Sequence, residues 1–252
     1  MGVSGTDVAK NASDMILADD NFVTITEAVK TGRHIYENMK KAIHFLIATN
    51  VGEIVAIFAG LLLGLASPLL AIQLLWINLV TDSLPAIALG VDPIDKNIMN
   101  KKPNDPKKGL FADGLWGKIF VEGFMIGILT LFAFNLGTHL YGLEVGRTMA
   151  FITLSLLELV HSFNIRSEES IFKIGIFKNK YLVGSFVIGI ILQVIVVSTP
   201  SIANIFSAVP LNKEQWLYTA LISISPLFII ELQKKVNSLR FSEVVYREKQ
   251  LT

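Results

Sequence analysis

The residues able to do chemistry in this 252-residue chain lie inside long apolar runs. In "LLWINLVTDSLPAIALG", residues 74–90, Asn78, Thr81 and Asp82 follow an i, i+3, i+4 pattern. That spacing puts a carboxamide, a hydroxyl and a carboxylate on one helix face. Pro85 cannot donate a hydrogen bond to the carbonyl of Thr81 and its ring pushes that carbonyl aside, so the helix should loosen beside the polar face. In "ATNVGEIVAIF", Asn50 and Glu53 are three residues apart and share a face, and Gly52 lets a second helix approach closely. Glu158 lies in "SLLELVHSFN", with His161 and Asn164 farther along; Glu122 and Gln193 are isolated in other apolar runs. The clustered groups are all oxygen donors: Asn50, Glu53, Asn78, Thr81, Asp82 and Glu158. A hard divalent cation such as Ca²⁺ takes six to eight oxygens at about 2.3–2.6 Å. Mn²⁺ uses similar oxygens. The chain has no cysteine and His161 stands apart, so a soft-metal site is not supported. Taken singly, each of these residues also fits ordinary hydrogen-bonded glue between helices. Their concentration in three segments favours a cation site, because a carboxylate at a bilayer centre costs about 2.5–3.5 kcal/mol.

The elements that must position them are membrane helices. The chain is 52% hydrophobic and 17% charged, with mean hydropathy +0.56; a soluble domain usually carries about 25% charged residues. About 20 apolar residues are needed to cross the hydrocarbon core. Six segments meet that length approximately: Ala42–Leu65, Leu69–Val91, Gly117–Leu136, Thr148–Asn164, Leu182–Thr199 and Trp216–Leu232. The fold expected is all-α, a polytopic bundle of six transmembrane helices within residues 42–232. Basic residues collect after the second span (Lys96, Lys101, Lys102, Lys107, Lys108) and after the fourth (Arg166, Lys173, Lys178, Lys180). They collect again in the tail, residues 233–252 (Lys234, Lys235, Arg240, Arg247, Lys249), whereas the opposite loops hold only Arg147 and Lys213. The positive-inside rule then makes both termini cytoplasmic. Net charge is +1, with no basic bulk that would favour nucleic acid.

Residues 23–41 precede the first span without a proline. Ile25, Ala28, Ile35 and Met39 recur at helical spacing, so a cytoplasmic stalk should run unbroken into the membrane, with Gly32 its one weak point. Residues 1–22 have no basic region followed by an apolar one, so they do not read as a signal peptide. They look like a short remnant of a soluble α/β domain, too small to bury a core alone.

Three motifs carry a resemblance. "ATNVGEIVAIF", "AIQLLWINLVTDSLPAIALGVDPIDKNIMNKKP" and "GVSGTDVAKNASDMILADDNFVTITEAVKTGRHIYENMKKAI" are similar to the fifth and sixth membrane helices, the following loop and the stalk of P-type Ca²⁺-transporting ATPases. The resemblance spans essentially the whole chain and is strongest to about Leu110. It implies that Asn50, Glu53, Thr81, Asp82 and Glu158 form one Ca²⁺ site, with Asn78 and Asp82 contributing to a second. Residues 1–22 would then end the phosphorylation domain. The family's DKTGT, TGE, GDGVNDAP and PEGLP motifs do not occur in these 252 residues. The chain is therefore expected to be the C-terminal portion of a pump, without ATPase activity of its own. ATP and Mg²⁺ would act only through the N-terminal portion, which would be its partner along with membrane lipid. The expected location is the plasma membrane, and ions bound from the cytoplasm would be exported against returning protons. An independent passive channel or exchanger would need no ATP machinery but leaves residues 1–22 unexplained. A non-transporting scaffold leaves the intramembrane acids unexplained.

Overall fold

In the computed structural model, residues 2–95, 97–103, 105, 109–112 and 114–251 are described, with side chains to residue 236. Lys96, Lys107 and Lys108, and the side chains of Arg240, Arg247 and Lys249, lie outside the described residues. The architecture is all-helical, with six helices long and apolar enough to cross a membrane. A short α1 (Asp7–Asn11), capped by the Thr6 hydroxyl, precedes them. Among the described residues the N-terminal stretch has no strand.

Stalk and first span are one helix, α2 (Phe22–Leu62), 41 residues long. At about 1.5 Å per residue it is twice what a bilayer core requires. The second span is in three pieces: α3 (Ala71–Trp76), a π-helical stretch (Ile77–Asp82) and α4 (Ser83–Gly90). Then follow α5 (Leu115–Tyr141), α6 (Leu143–Ile165), α7 (Ile171–Ile174), α8 (Lys180–Ser198), α9 (Pro200–Ile205) and α10 (Lys213–Leu251). Gly142, at φ 97°, makes the tight corner between α5 and α6.

One helix is interior. The most apolar stretch of α6 is 94% buried, against 28–39% for the other spans. The others wrap it and turn residues such as Ile54, Phe58, Leu79, Ile87 and Phe228 outward, an exposed apolar belt suited to lipid. The chain is an integral membrane protein. Since lipid gives apolar faces no reason to associate, close packing must hold the helices together. Between α2 and α5 the approach is close: a Cβ on Gly52 would lie 2.7 Å from the Ile126 side chain, and one on Gly123 2.7 Å from the Ala48 carbonyl.

Polar ties secure both ends of the broken second span. At the stalk end, buried Asp92 accepts from Lys41 Nζ (2.8 Å), Arg166 Nε (3.0 Å) and Asn179 Nδ2 (2.9 Å). Asn38 Nδ2 donates to the Asp92 carbonyl at 2.9 Å, and Asn179 Nδ2 to that of Ala88 at 2.9 Å. Four helices, α2, α4, α6 and α8, thus meet on one carboxylate. Beyond it, Arg33 on the stalk donates to the carbonyls of Ile98 and Lys101. The Asn97 N–H, then Lys101, hold the Asp95 carboxyl below its ordinary range. At the far end Gln73 Nε2 donates to the Phe206 carbonyl at 2.9 Å, and Trp76 Nε1 to Gln193 Oε1 at 3.1 Å.

Candidate cation site

The polar residues of the second span lie on its π-helical stretch. A π turn widens the helix and leaves the regular i→i−4 ladder, and such turns concentrate at functional sites. Pro85 supplies a local cause, because it has no N–H for the ladder at the next turn. Ser83 Oγ donates to the Asn78 carbonyl at 3.1 Å, taking up a backbone acceptor where the ladder is disturbed.

Glu53 descends on α2, buried at 7% exposure, and its Oε1 accepts from Asn78 Nδ2 at 2.7 Å. Asn78 also donates to the Leu74 carbonyl at 3.0 Å, which leaves its own side-chain oxygen free of those bonds. Thr81 Oγ1 donates to the Ile77 carbonyl at 2.9 Å. Asp82, 1% exposed, accepts at Oδ2 from Thr49 Oγ1 at 3.0 Å, while its Oδ1 has no partner. Glu158 comes from the interior helix α6, is fully buried, and neither of its oxygens has a hydrogen-bond partner. It lies beside Asp82 and Thr81 and within electrostatic reach of Glu53. When ionised, Asp82 and Glu158 are both acceptors, so only a shared proton or a cation can join them.

Five of the six residues expected from sequence therefore converge: Glu53, Asn78, Thr81, Asp82 and Glu158. Asn50 does not join them. It is exposed, and its Nδ2 donates back to the Leu46 carbonyl at 2.6 Å. Residues three apart are offset around a helix, and the packing of α2 places Glu53 and Thr49 inward with Asn50 at the edge. Thr49 was not among the sequence-derived candidates. Its one signal was position, four residues before Glu53, with nothing in the sequence to rank the hydroxyl above the neighbouring amide.

Burying carboxylates this way is costly, several kcal/mol per ion after relaxation, unless opposite charge compensates. Among the described residues no Lys or Arg is recorded in an ion pair with Glu53, Asp82 or Glu158. Nor does any trio of Asp, Glu or His close into a metal-binding group by itself. A cation would have to draw on the mixed set of carboxylate, amide and hydroxyl oxygens, which is the donor chemistry of Ca²⁺. One turn toward the stalk, His161 is fully buried with its Nε2 3.3 Å from Glu122, which also meets His44 Nε2 at 2.6 Å.

Residues 66–236 match the family described as cation transporting ATPase, C-terminus. The chain belongs to this family. It is 48% identical to calcium-transporting ATPase 1 of Bacillus cereus, over 93% of this chain and 28% of that protein. Its identity to a calcium-transporting ATPase of Bacillus subtilis is 45%, over 91% of this chain and 26% of the relative. A calcium-transporting ATPase of Listeria monocytogenes is 39% identical, over 93% of this chain and 27% of the relative. The chain thus spans about a quarter of the length of these relatives. Four of the five converging residues, Asn78, Thr81, Asp82 and Glu158, fall inside the stretch that defines this ATPase C-terminus. Glu53 and Thr49 precede it, on the helix continuous with the stalk.

Proposed function

We propose that this chain supplies the intramembrane cation-binding groups of a P-type Ca²⁺ pump. The observation that carries the proposal is the facing pair Asp82 and Glu158, buried acids with three oxygens that no protein donor satisfies. Glu53 and the oxygens of Asn78, Thr81 and Thr49 surround that pair with hard donors. Ca²⁺ is the cargo, held in the membrane and released on the opposite side, with protons returning on the emptied carboxylates. Asn50 contributes as a ligand from the edge of α2, toward whatever packs there in the whole pump. ATP and Mg²⁺ act in the portion of the pump that these 252 residues do not include. The stalk of α2 conveys motion of that portion to Glu53, and the loop after α4 docks against it. The Lys and Arg distribution supports cytoplasmic termini, and bacterial pump relatives support the plasma membrane as the site of action.

The test is equilibrium Ca²⁺ binding by this chain co-expressed with the N-terminal portion of a matching pump. Asp82→Asn keeps the size of the side chain and removes one charge from the centre of the site. We expect binding to be abolished, and Mn²⁺ to compete with Ca²⁺ in the unsubstituted complex. Unchanged Ca²⁺ binding by the variant would overturn the assignment.

A further inference from the structure

A second polar site lies apart from the cation-binding groups, at the stalk end of the bundle. A cavity of about 230 Å³ opens there between α2, α5, α6 and α10. His44, Lys118, Glu122, Asn164, Glu168 and Lys234 contribute its polar lining. Asn164 is the telling residue. It is 3% exposed, yet neither its Nδ2 nor its Oδ1 has a partner. A buried carboxamide with donor and acceptor both unmet forfeits about 1–3 kcal/mol for each group, and native interiors seldom leave such groups alone. An occupant offering both an acceptor and a donor would satisfy it.

The charges narrow the occupant. Lys118 and Lys234 bring two ammonium groups, and Glu122 and Glu168 two carboxylates. Lys118 pairs with Glu168, Glu122 Oε2 meets His44 and His161 and leaves Oε1 free of those contacts, and Lys234 lies 3.5 Å from Glu231 while donating to the Asn164 carbonyl at 2.9 Å. Such an alternating lining gives no net attraction to a simple anion or a simple cation. A zwitterion gains on both sides. The depth is that of lipid headgroups: Gly117 of the lining adjoins Trp116, which is part-exposed and stacks between Phe111 (4.5 Å) and Phe120 (5.8 Å). Aromatic residues of this kind mark the membrane–water interface. Val121, on the cavity wall, is 61% exposed and leads outward to the apolar face of α5.

We propose that this cavity binds the headgroup of a phospholipid carrying a phosphate and a primary ammonium, phosphatidylethanolamine being the chemical type. The phosphate accepts from Lys118 and Lys234, the ammonium donates to Glu122 and Glu168, and the Asn164 carboxamide meets both. The acyl chains leave past Val121 into the bilayer. This site requires no cation in the transport site, so the two stand or fall separately.

Native mass spectrometry of the chain in mild detergent, titrated with three lipids, tests the proposal. Phosphatidylethanolamine is expected to bind at one copy per chain. Phosphatidylcholine, which has no ammonium hydrogens, and phosphatidylglycerol, which has no ammonium, are expected to bind about tenfold more weakly, as for a lost charge-assisted hydrogen bond. Asn164→Leu is expected to erase the preference, with helical content followed by circular dichroism. Lys118→Met, at a part-exposed position, is expected to weaken phosphatidylethanolamine about tenfold and serves if the first variant misfolds. Equal binding of the three lipids, preference for phosphatidylglycerol, or phosphatidylethanolamine binding undiminished by Lys118→Met would each overturn it.

Discussion

At the scale of single residues, the buried acids set the problem and Thr49 shows how one of them is aimed. Its hydroxyl donates to Asp82 Oδ2 at 3.0 Å, so one carboxylate oxygen is held while Oδ1 stays free toward Glu158. A hydrogen bond to a charged group contributes about 1.5–3 kcal/mol, and losing it lets the carboxylate turn. Thr49→Val keeps the shape and deletes the donor. We expect Ca²⁺ affinity in the reconstituted complex to fall about tenfold or more. Thr49→Ser, which restores the hydroxyl, should recover most of it, and equal affinities for the two variants would show that the contact is idle. Much of this site was legible beforehand, because acids are expensive in lipid and so stand out in an apolar run. Glu53, Asp82 and Glu158 announce themselves in that way. Thr49 and Asn50 do not, since both are cheap enough to sit in any membrane helix. Which of them turns inward depends on the rotation of α2 against α5, fixed by the contact of Gly52 with Ile126 and of Gly123 with Ala48.

At the scale of elements, the second span is the one whose backbone departs from its sequence pattern. Spacing alone placed Asn78, Thr81 and Asp82 on one face of a regular helix, and Pro85 implied loosening nearby. The structure widens the backbone through Ile77–Asp82 into a π turn, so the polar residues sit on the irregular stretch itself. Periodicity cannot report this, because a π insertion changes the ladder without changing the composition. Span lengths were likewise only partly visible. The fourth and sixth apolar runs, Thr148–Asn164 and Trp216–Leu232, are the shortest of the six, but α6 and α10 begin earlier, in polar flanks where Arg147 Nε donates to the Ser67 carbonyl at 3.2 Å and Gln215 Oε1 accepts from the Asn212 N–H at 2.8 Å. If the π turn serves cation binding, restoring a regular helix should cost affinity and not stability. Pro85→Ala returns an N–H to the ladder. We expect a thermal midpoint unchanged or raised, together with Ca²⁺ affinity lowered about fivefold, on the order of 1 kcal/mol. Unaltered affinity in a well-folded Pro85→Ala protein would detach the irregular backbone from the site.

At the scale of the whole molecule, the question is how a span interrupted at its centre keeps a defined position. The π-helical stretch interrupts the regular ladder of the second span, and each end is anchored by its own contacts. At the stalk end the anchor is Asp92, on which α2, α4, α6 and α8 converge through Lys41, Arg166 and Asn179. Hydropathy marks these residues only as loop and helix-end charges, and their convergence follows from three-dimensional packing that no local pattern encodes. The arrangement also sets a path for force: a shift of the stalk moves Lys41 and Asn38, and with them Asp92 and α4, at the end of the helix that carries Asp82. Removing the carboxylate leaves the Arg166 guanidinium, with 3% of its side chain exposed, without its acidic partner. Breaking a buried pair from one side typically costs about 3–5 kcal/mol, because the remaining charge stays desolvated. Asp92→Ala should therefore destabilise the chain by about that amount in denaturant unfolding. Asp92→Asn combined with Lys41→Met should cost less than the sum of the two single changes, since the second removes a cation that the first has stranded. Strict additivity in that cycle would mean that Lys41 and Asp92 act independently, and that the stalk is joined to this end of α4 through Asn38 and not through Lys41.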